Sequence, residues 1–96
     1  MQYRISNLAQ QDLEDIWAYT EREWSLRQAE RYVGGILAVF DSLSDGDVVS
    51  KSADHIRSGY RKVLYGKHYI FYRIGADQIM EIIRVLHVQM DPEQHF

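Results

Sequence analysis

Arg57, Arg61, Lys62, Lys67, Arg73 and Arg84 alternate along the second half of the chain with Tyr60, Tyr65, Tyr69 and Tyr72. A guanidinium pairs with carboxylate or phosphate through two parallel hydrogen bonds, and a tyrosine offers a flat surface with a polar tip. A strand surface carrying both could hold an acidic peptide or an RNA. Because side chains on a strand alternate between its faces, the set must divide, with some tyrosines entering a core and some cations forming its rim. His68 and His87 could meet across adjacent strands, but without a third placed ligand they read as hydrogen-bonding or surface residues rather than a metal site. Asp91 and Glu93 beside His95 likewise read as a solvated tail. No glycine run cradles a phosphate, no serine stands in a nucleophile elbow, and no His-x-x-x-His pair occurs. The chemistry on offer is recognition by Arg and Tyr, and neither metal nor cofactor is expected.

The elements that would carry these residues follow from the hydrophobic periods. Tyr3 and Ile5 alternate with Gln2, Arg4 and Ser6, the period of a short strand. Asn7 and Gln10 have the spacing of a capping box. Beyond them Ala9, Leu13, Ile16, Trp17, Thr20 and Trp24 recur at helical spacing, with Asp12, Glu14, Asp15, Glu21 and Glu23 largely elsewhere. Ser25 and Gln28 repeat the capping spacing, and Ala29, Tyr32, Val33, Ile36, Leu37, Phe40 and Leu43 form a second stripe that ends at Asp45-Gly46-Asp47. Two helices joined this tightly form an antiparallel hairpin. Gly34-Gly35 in the second helix marks either a close backbone approach or a tolerated weakness.

Val48 to Ile56 reads as a polar connection without clear periodicity. From Arg57 the sequence turns to Val, Ile, Tyr and Phe, in runs over Tyr60 to Tyr65, His68 to Ile74 and Ile79 to Val88. Gly66-Lys67 has the form of a hairpin turn and Gly75-Ala76-Asp77-Gln78 of the next connection, which gives an antiparallel meander. Ile79 to Leu86 is apolar on both faces, as a central strand would be. The expected fold class is α+β, in the order β-α-α-β-β-β, with a helical hairpin packed on a small, mostly antiparallel sheet. One shared core is expected to contain Leu13, Ile16, Trp17, Val33, Ile36, Leu37, Phe40, Ile70, Ile82 and Leu86.

With 96 residues, no repeat, no linker and a single proline near the C-terminus, residues 1–96 are expected to form one domain. The chain has no cysteine, and its N-terminus goes straight into polar sequence, without the roughly 7–15 apolar residues of a signal peptide or the ~20 of a membrane span. A cytoplasmic protein without membrane contact is expected. The net charge of −3 is unevenly spread. Met1 to Asp47 holds nine acidic against four basic residues, and Val48 to Phe96 five against seven, so the halves carry −5 and +2. Either one face is basic and suited to an acidic protein or a nucleic acid, or helices simply collect Glu.

Tyr3-Arg4-Ile5-Ser6, then Ala9-x-x-Asp12-Leu13-x-x-Ile16-Trp17-x-Tyr19-Thr20, Trp24 and Gln28-Ala29-Glu30-Arg31-Tyr32 resemble the opening of ParE toxins. Ile56-Arg57-x-Gly59-Tyr60-Arg61, His68-Tyr69-Ile70-Phe71-Tyr72-Arg73 and Ile83-Arg84-Val85-Leu86-His87-x-x-Met90-Asp91 resemble the strand motifs of that family in the same order, so the likeness spans nearly the whole chain. The resemblance implies the ParE/RelE toxin fold and the toxin component of a type II toxin–antitoxin system. It further implies that the chain inhibits DNA gyrase without catalysis and is neutralised, as a hetero-oligomer, by a ParD-type antitoxin whose C-terminal segment wraps around it. Arg57, Tyr60, Arg61, Arg73, Arg84, His87 and Met90 are the expected partner-binding residues. RelE relatives instead cut mRNA on the ribosome with basic and aromatic or histidine side chains. In that alternative Arg61 and Arg84 would stabilise charge on phosphate and His87 would move the proton. The segment Met90 to Phe96 lacks the tyrosine and basic cluster of such a nuclease, which favours the noncatalytic branch. A third alternative is a decayed toxin that only binds antitoxin.

Overall fold

A computed structural model describes residues 1–96. The elements are β1 (Tyr3–Ile5), α1 (Asn7–Glu23), α2 (Leu26–Ser44), β2 (Lys51–Ser52), β3 (Arg61–Tyr65), β4 (His68–Ile74) and β5 (Met80–His87), followed by a 3-10 turn over Pro92–Gln94. The helices cover one face of a five-stranded sheet ordered β1-β5-β4-β3-β2. β1 lies parallel to β5, and the other pairings are antiparallel. The expected β-α-α-β-β-β order is present, and β5 is inside the sheet between β1 and β4. β2 is an addition within the segment read as irregular: two exposed residues are too short to show a period, and Lys51 and Ser52 become a strand only by pairing with Lys62 and Arg61.

Local chemistry sets the element ends. The cap of α1 is Ser6 rather than Asn7: its hydroxyl accepts from the Ala9 amide at 3.0 Å and donates to the Ile83 carbonyl at 2.8 Å. One side chain thereby starts the helix and ties it to β5. Ser25 caps α2 as its spacing predicted, accepting from the Gln28 amide at 3.0 Å. Gly46 with φ +77° ends α2, and Gly66 with φ +55° forms the β3–β4 turn, a backbone region closed to most side chains. Gly35 sits under the Tyr65 hydroxyl, where a Cβ would overlap the ring, whereas Gly34 faces open space. The close approach belongs to Gly35 alone.

Between helices and sheet lies a cluster of 12 buried residues that includes Leu13, Ile16, Val33, Ile36, Phe40, Ile70 and Ile82. A second cluster of Ala53, Phe71 and Leu86 occupies the opposite face, flanked by Ile56, Tyr60, Tyr69 and Phe96. Leu86 therefore belongs to a different core from the one expected for it, and β5 is apolar on both faces because both are covered. Trp17 is half-buried against the main cluster. Leu37, expected inside, is 38% exposed, and Trp24 is 76% exposed. Leu37 falls at the margin of the α2 stripe, and Trp24 is the C-cap residue just past the end of α1.

Candidate functional site

β1 ends at Ile5 while β5 continues to His87, so the outer edge of β5 needs other partners for its backbone. α1 supplies them. The Ser6 amide donates to the Ile82 carbonyl at 3.0 Å, and the Val85 amide donates to Asp12 Oδ2 at 2.9 Å. Opposite the Phe71–Tyr72 step β5 carries an extra residue, Ile83, a bulge that changes the side-chain alternation just before Arg84. The Arg84 guanidinium grips both Asp12 oxygens, Nε to Oδ2 at 2.9 Å and Nη2 to Oδ1 at 2.8 Å. These side chains are only 14% and 11% exposed, and the hydrogen-bonded carboxylate raises the Arg84 pKa above its ordinary value. Nη1 donates to the His95 carbonyl at 2.9 Å, so the same side chain also holds the C-terminal segment.

His68 and His87 are register partners on β4 and β5, with rings edge-to-face and centroids 5.3 Å apart. The Tyr32 hydroxyl of α2 lies 2.6 Å from His68 Nδ1 and accepts from the Lys67 amide at 3.0 Å, which fixes the β3–β4 turn to the helix. Burial, with a contribution from His87 and against the opposing pull of Asp12, pushes the His68 pKa down to about 4. His87 Nδ1 accepts from the Gln89 amide at 3.1 Å. In that role Nδ1 is engaged by the backbone of the turn that follows β5.

The cationic set divides as alternation requires. Tyr65 and Tyr72 face the helices, and Tyr60 and Tyr69 face away. Arg84 is bound to Asp12, and Arg73 meets Glu81 at 3.2 Å on the surface. Arg57 is exposed and has no ion-pair partner. Arg61 donates to the Ser50 hydroxyl and carbonyl at 2.7 and 2.8 Å, not to a carboxylate, and the Lys62 ammonium lies 4.6 Å from the centre of the Tyr69 ring. Unneutralised positive charge thus gathers at the β2–β3 side of the sheet. At the far end of β5 Met90 is 47% exposed. Tyr60 does not join Arg57 in the open: its ring packs on Phe96 at 5.6 Å, and Phe96 packs on Phe71 at 5.1 Å.

A separate groove of about 360 Å³ opens between α1, α2 and β1, lined by Ile5, Leu13, Trp17, Val33 and Leu37 with Gln10 and Glu14 beside them. Two participants escape a sequence reading. Asp12 is placed by its spacing among the solvated carboxylates, and its partner Arg84 lies 72 residues away. Phe96 carries no periodic signal. No helix is long and apolar enough to cross a membrane.

Comparisons with known proteins agree with this arrangement. Residues 3–92 match the family model described as ParE toxin of type II toxin-antitoxin system, parDE. Over 93 residues the chain is 38% identical to Toxin ParE1 of Caulobacter vibrioides and 36% identical to Toxin ParE1 of Mycobacterium tuberculosis, covering 97% of this chain and 95% of each relative. Among solved structures, a chain from "Chromosomal ParDE TA system from P. aeruginosa" superimposes with a TM-score of 0.78 at 16% identity, covering 93% of this chain and 97% of that one, a likeness of fold. On the match over nearly its whole length, the chain belongs to the ParE toxin family of type II toxin–antitoxin systems.

Proposed function

We propose that this single-domain cytoplasmic toxin stalls DNA gyrase by surface contact, without making or breaking a covalent bond, and that a ParD-type antitoxin neutralises it by wrapping around it. The observation that carries the noncatalytic reading is the engagement of Arg84 and His87. A phosphate-cleaving site needs a free cation to meet developing charge and a side chain free to take up a proton. Here Arg84 is committed to Asp12, His87 Nδ1 already accepts from the Gln89 amide, and Arg61, the other cation of the nuclease alternative, lies at the Tyr72 end of β4, away from His87 at the His68 end. The target-facing surface is the far end of β5, around His87 and Met90, with the segment that Arg84 holds.

The antitoxin reading draws on different parts of the molecule. The groove beside Trp17 and Leu37 offers apolar surface to a segment that folds on binding, and Arg57 and Arg61 offer unneutralised charge to acidic side chains. Arg73 is a weaker anchor because Glu81 already meets it. The test is induction of this chain alone in bacteria, with plasmid supercoiling and mRNA integrity followed together. Loss of supercoiling with intact mRNA is expected; rapid mRNA cleavage on ribosomes would overturn the reading, and so would unimpaired growth.

A further inference from the structure

We propose that Asp12, on the first helix, is a positioning residue for the C-terminal segment, and that through Arg84 it sets the shape of the target-facing surface without touching the target. The second half of this statement rests on the gyrase reading above; the first does not. A guanidinium has five donors in one plane. Asp12 takes two of them, Nε and Nη2, and its Oδ2 also accepts the Val85 amide, so the carboxylate is held by helix and strand at once. With the fork fixed in that plane, Nη1 is aimed at the His95 carbonyl, 2.9 Å away. That bond holds down the segment whose last ring, Phe96, lies against Tyr60 and Phe71 on the helix-free face.

Few other restraints act on the segment. Its internal hydrogen bonds are local, from the Glu93 amide to the Asp91 side chain and from the Gln94 and His95 amides to the Asp91 and Pro92 carbonyls. They shape a turn but do not attach it to the sheet. Attachment rests on the bond from the Val88 amide to the Lys67 carbonyl at the start of the tail and, beyond it, on Arg84 and on the packing of Phe96 together with the half-buried Pro92 and His95. An amide in place of the Asp12 carboxylate could still accept from Val85 but would no longer neutralise or bind both arms of the fork, and Arg84 would turn toward water. The end of the segment would then keep only the packing of Phe96 and its half-buried neighbours.

Hydrogen exchange on the full chain reads this directly. In Asp12→Asn the Gln94 and His95 amides should exchange about tenfold faster or more, while the amides of Ile70 and Ile82 keep their protection. Phe96→Ala, which removes the ring packing, should give the same pattern. Should Asp12→Asn prove too unstable because it leaves a buried cation unpaired, Asp12→Asn combined with Arg84→Gln removes both charges and should still free the segment. Segment amides that exchange at the wild-type rate in these folded variants would overturn the positioning role, as would exchange that rises only in step with Ile70 and Ile82. In a purified supercoiling assay the folded Asp12→Asn chain should need at least about tenfold more protein for equal inhibition. Full inhibition with a freed segment would overturn the link to the target surface. If the wild-type chain does not inhibit gyrase, the gyrase reading fails and the exchange result still decides the role of Asp12.

Discussion

The two faces of the sheet are built differently. On the helix side 12 buried residues from β4, β5 and both helices interlock, and Phe40, Ile36, Ile70 and Ile82 are fully enclosed. On the other side only Ala53, Phe71 and Leu86 are buried, covered by Ile56 and Tyr60 of the loop before β3, by Tyr69 of β4 and by Phe96. The first face holds the domain together. The second is much smaller and is closed in part by the C-terminal ring of Phe96, so a change there should cost less of the fold. The two faces are joined at the β5 edge by Asp12 and Arg84.

The largest expected effect breaks the helix side. Ile36→Ala should cost about 2–5 kcal/mol in chemical denaturation, because a fully buried side chain leaves a cavity that its neighbours fill only in part. Leu37→Ala, one residue along, should cost less than about 1 kcal/mol since Leu37 is 38% exposed, yet it should weaken antitoxin binding through the groove. Equal costs at the two positions would mean that the phase of α2 is wrong.

Next is the pH response of the His68 site, where Tyr32, His87 and, at longer range, Asp12 surround the ring. Its folded pKa of about 4 lies below the ordinary 6.5, so between these values the unfolded chain holds more protons. Stability from this group is therefore full above pH 6.5 and is lost as pH falls toward 4. The loss should be on the order of 1–2 kcal/mol once solvent access to the half-buried ring is allowed for. Denaturation midpoints of His68→Gln against pH should lack that slope; an unchanged slope would place its origin elsewhere.

On the helix-free side, Phe96→Ala should lower stability by only about 1 kcal/mol, the burial of part of one ring. A loss as large as that of Ile36→Ala would erase the contrast between the faces. The smallest effect on the fold is at Arg57, which is exposed and unpaired: Arg57→Glu should leave the denaturation midpoint unchanged. It should nevertheless slow antitoxin association about tenfold at low salt, as rim charges act mainly on the on-rate. Stopped-flow association indifferent to this reversal would move the acidic contact elsewhere.

How legible each face was follows the same division. Period placed both helices and the three long strands, and capping the start of α2, because Leu13, Ile16, Ile36 and Ile70 repeat at the spacing that burial against a neighbour imposes, whereas the cap of α1 falls one residue before the spacing pointed to. The edge of β5 was not legible. Asp12 has the type and spacing of a solvated helix carboxylate, and only the three-residue length of β1 makes it the acceptor for Val85 and Arg84. Phe96 lies outside any period. Leu86 looked like a member of the main core because strand alternation specifies two faces without saying which one meets the helices, and the bulge at Ile83 shifts the count.

The most direct test of the noncatalytic account is His87→Gln in the supercoiling assay, with ribosome-bound mRNA assayed beside it and folding checked first by denaturation. Gln keeps much of the size and hydrogen bonding of the ring but cannot transfer a proton as histidine does, and loss of general acid–base catalysis typically costs about 10²–10⁴-fold. The account predicts gyrase inhibition by the folded variant within about tenfold of wild type, and intact mRNA with either chain. A well-folded His87→Gln chain more than about a hundredfold less toxic, beside a wild type that cleaves ribosome-bound mRNA, would contradict it.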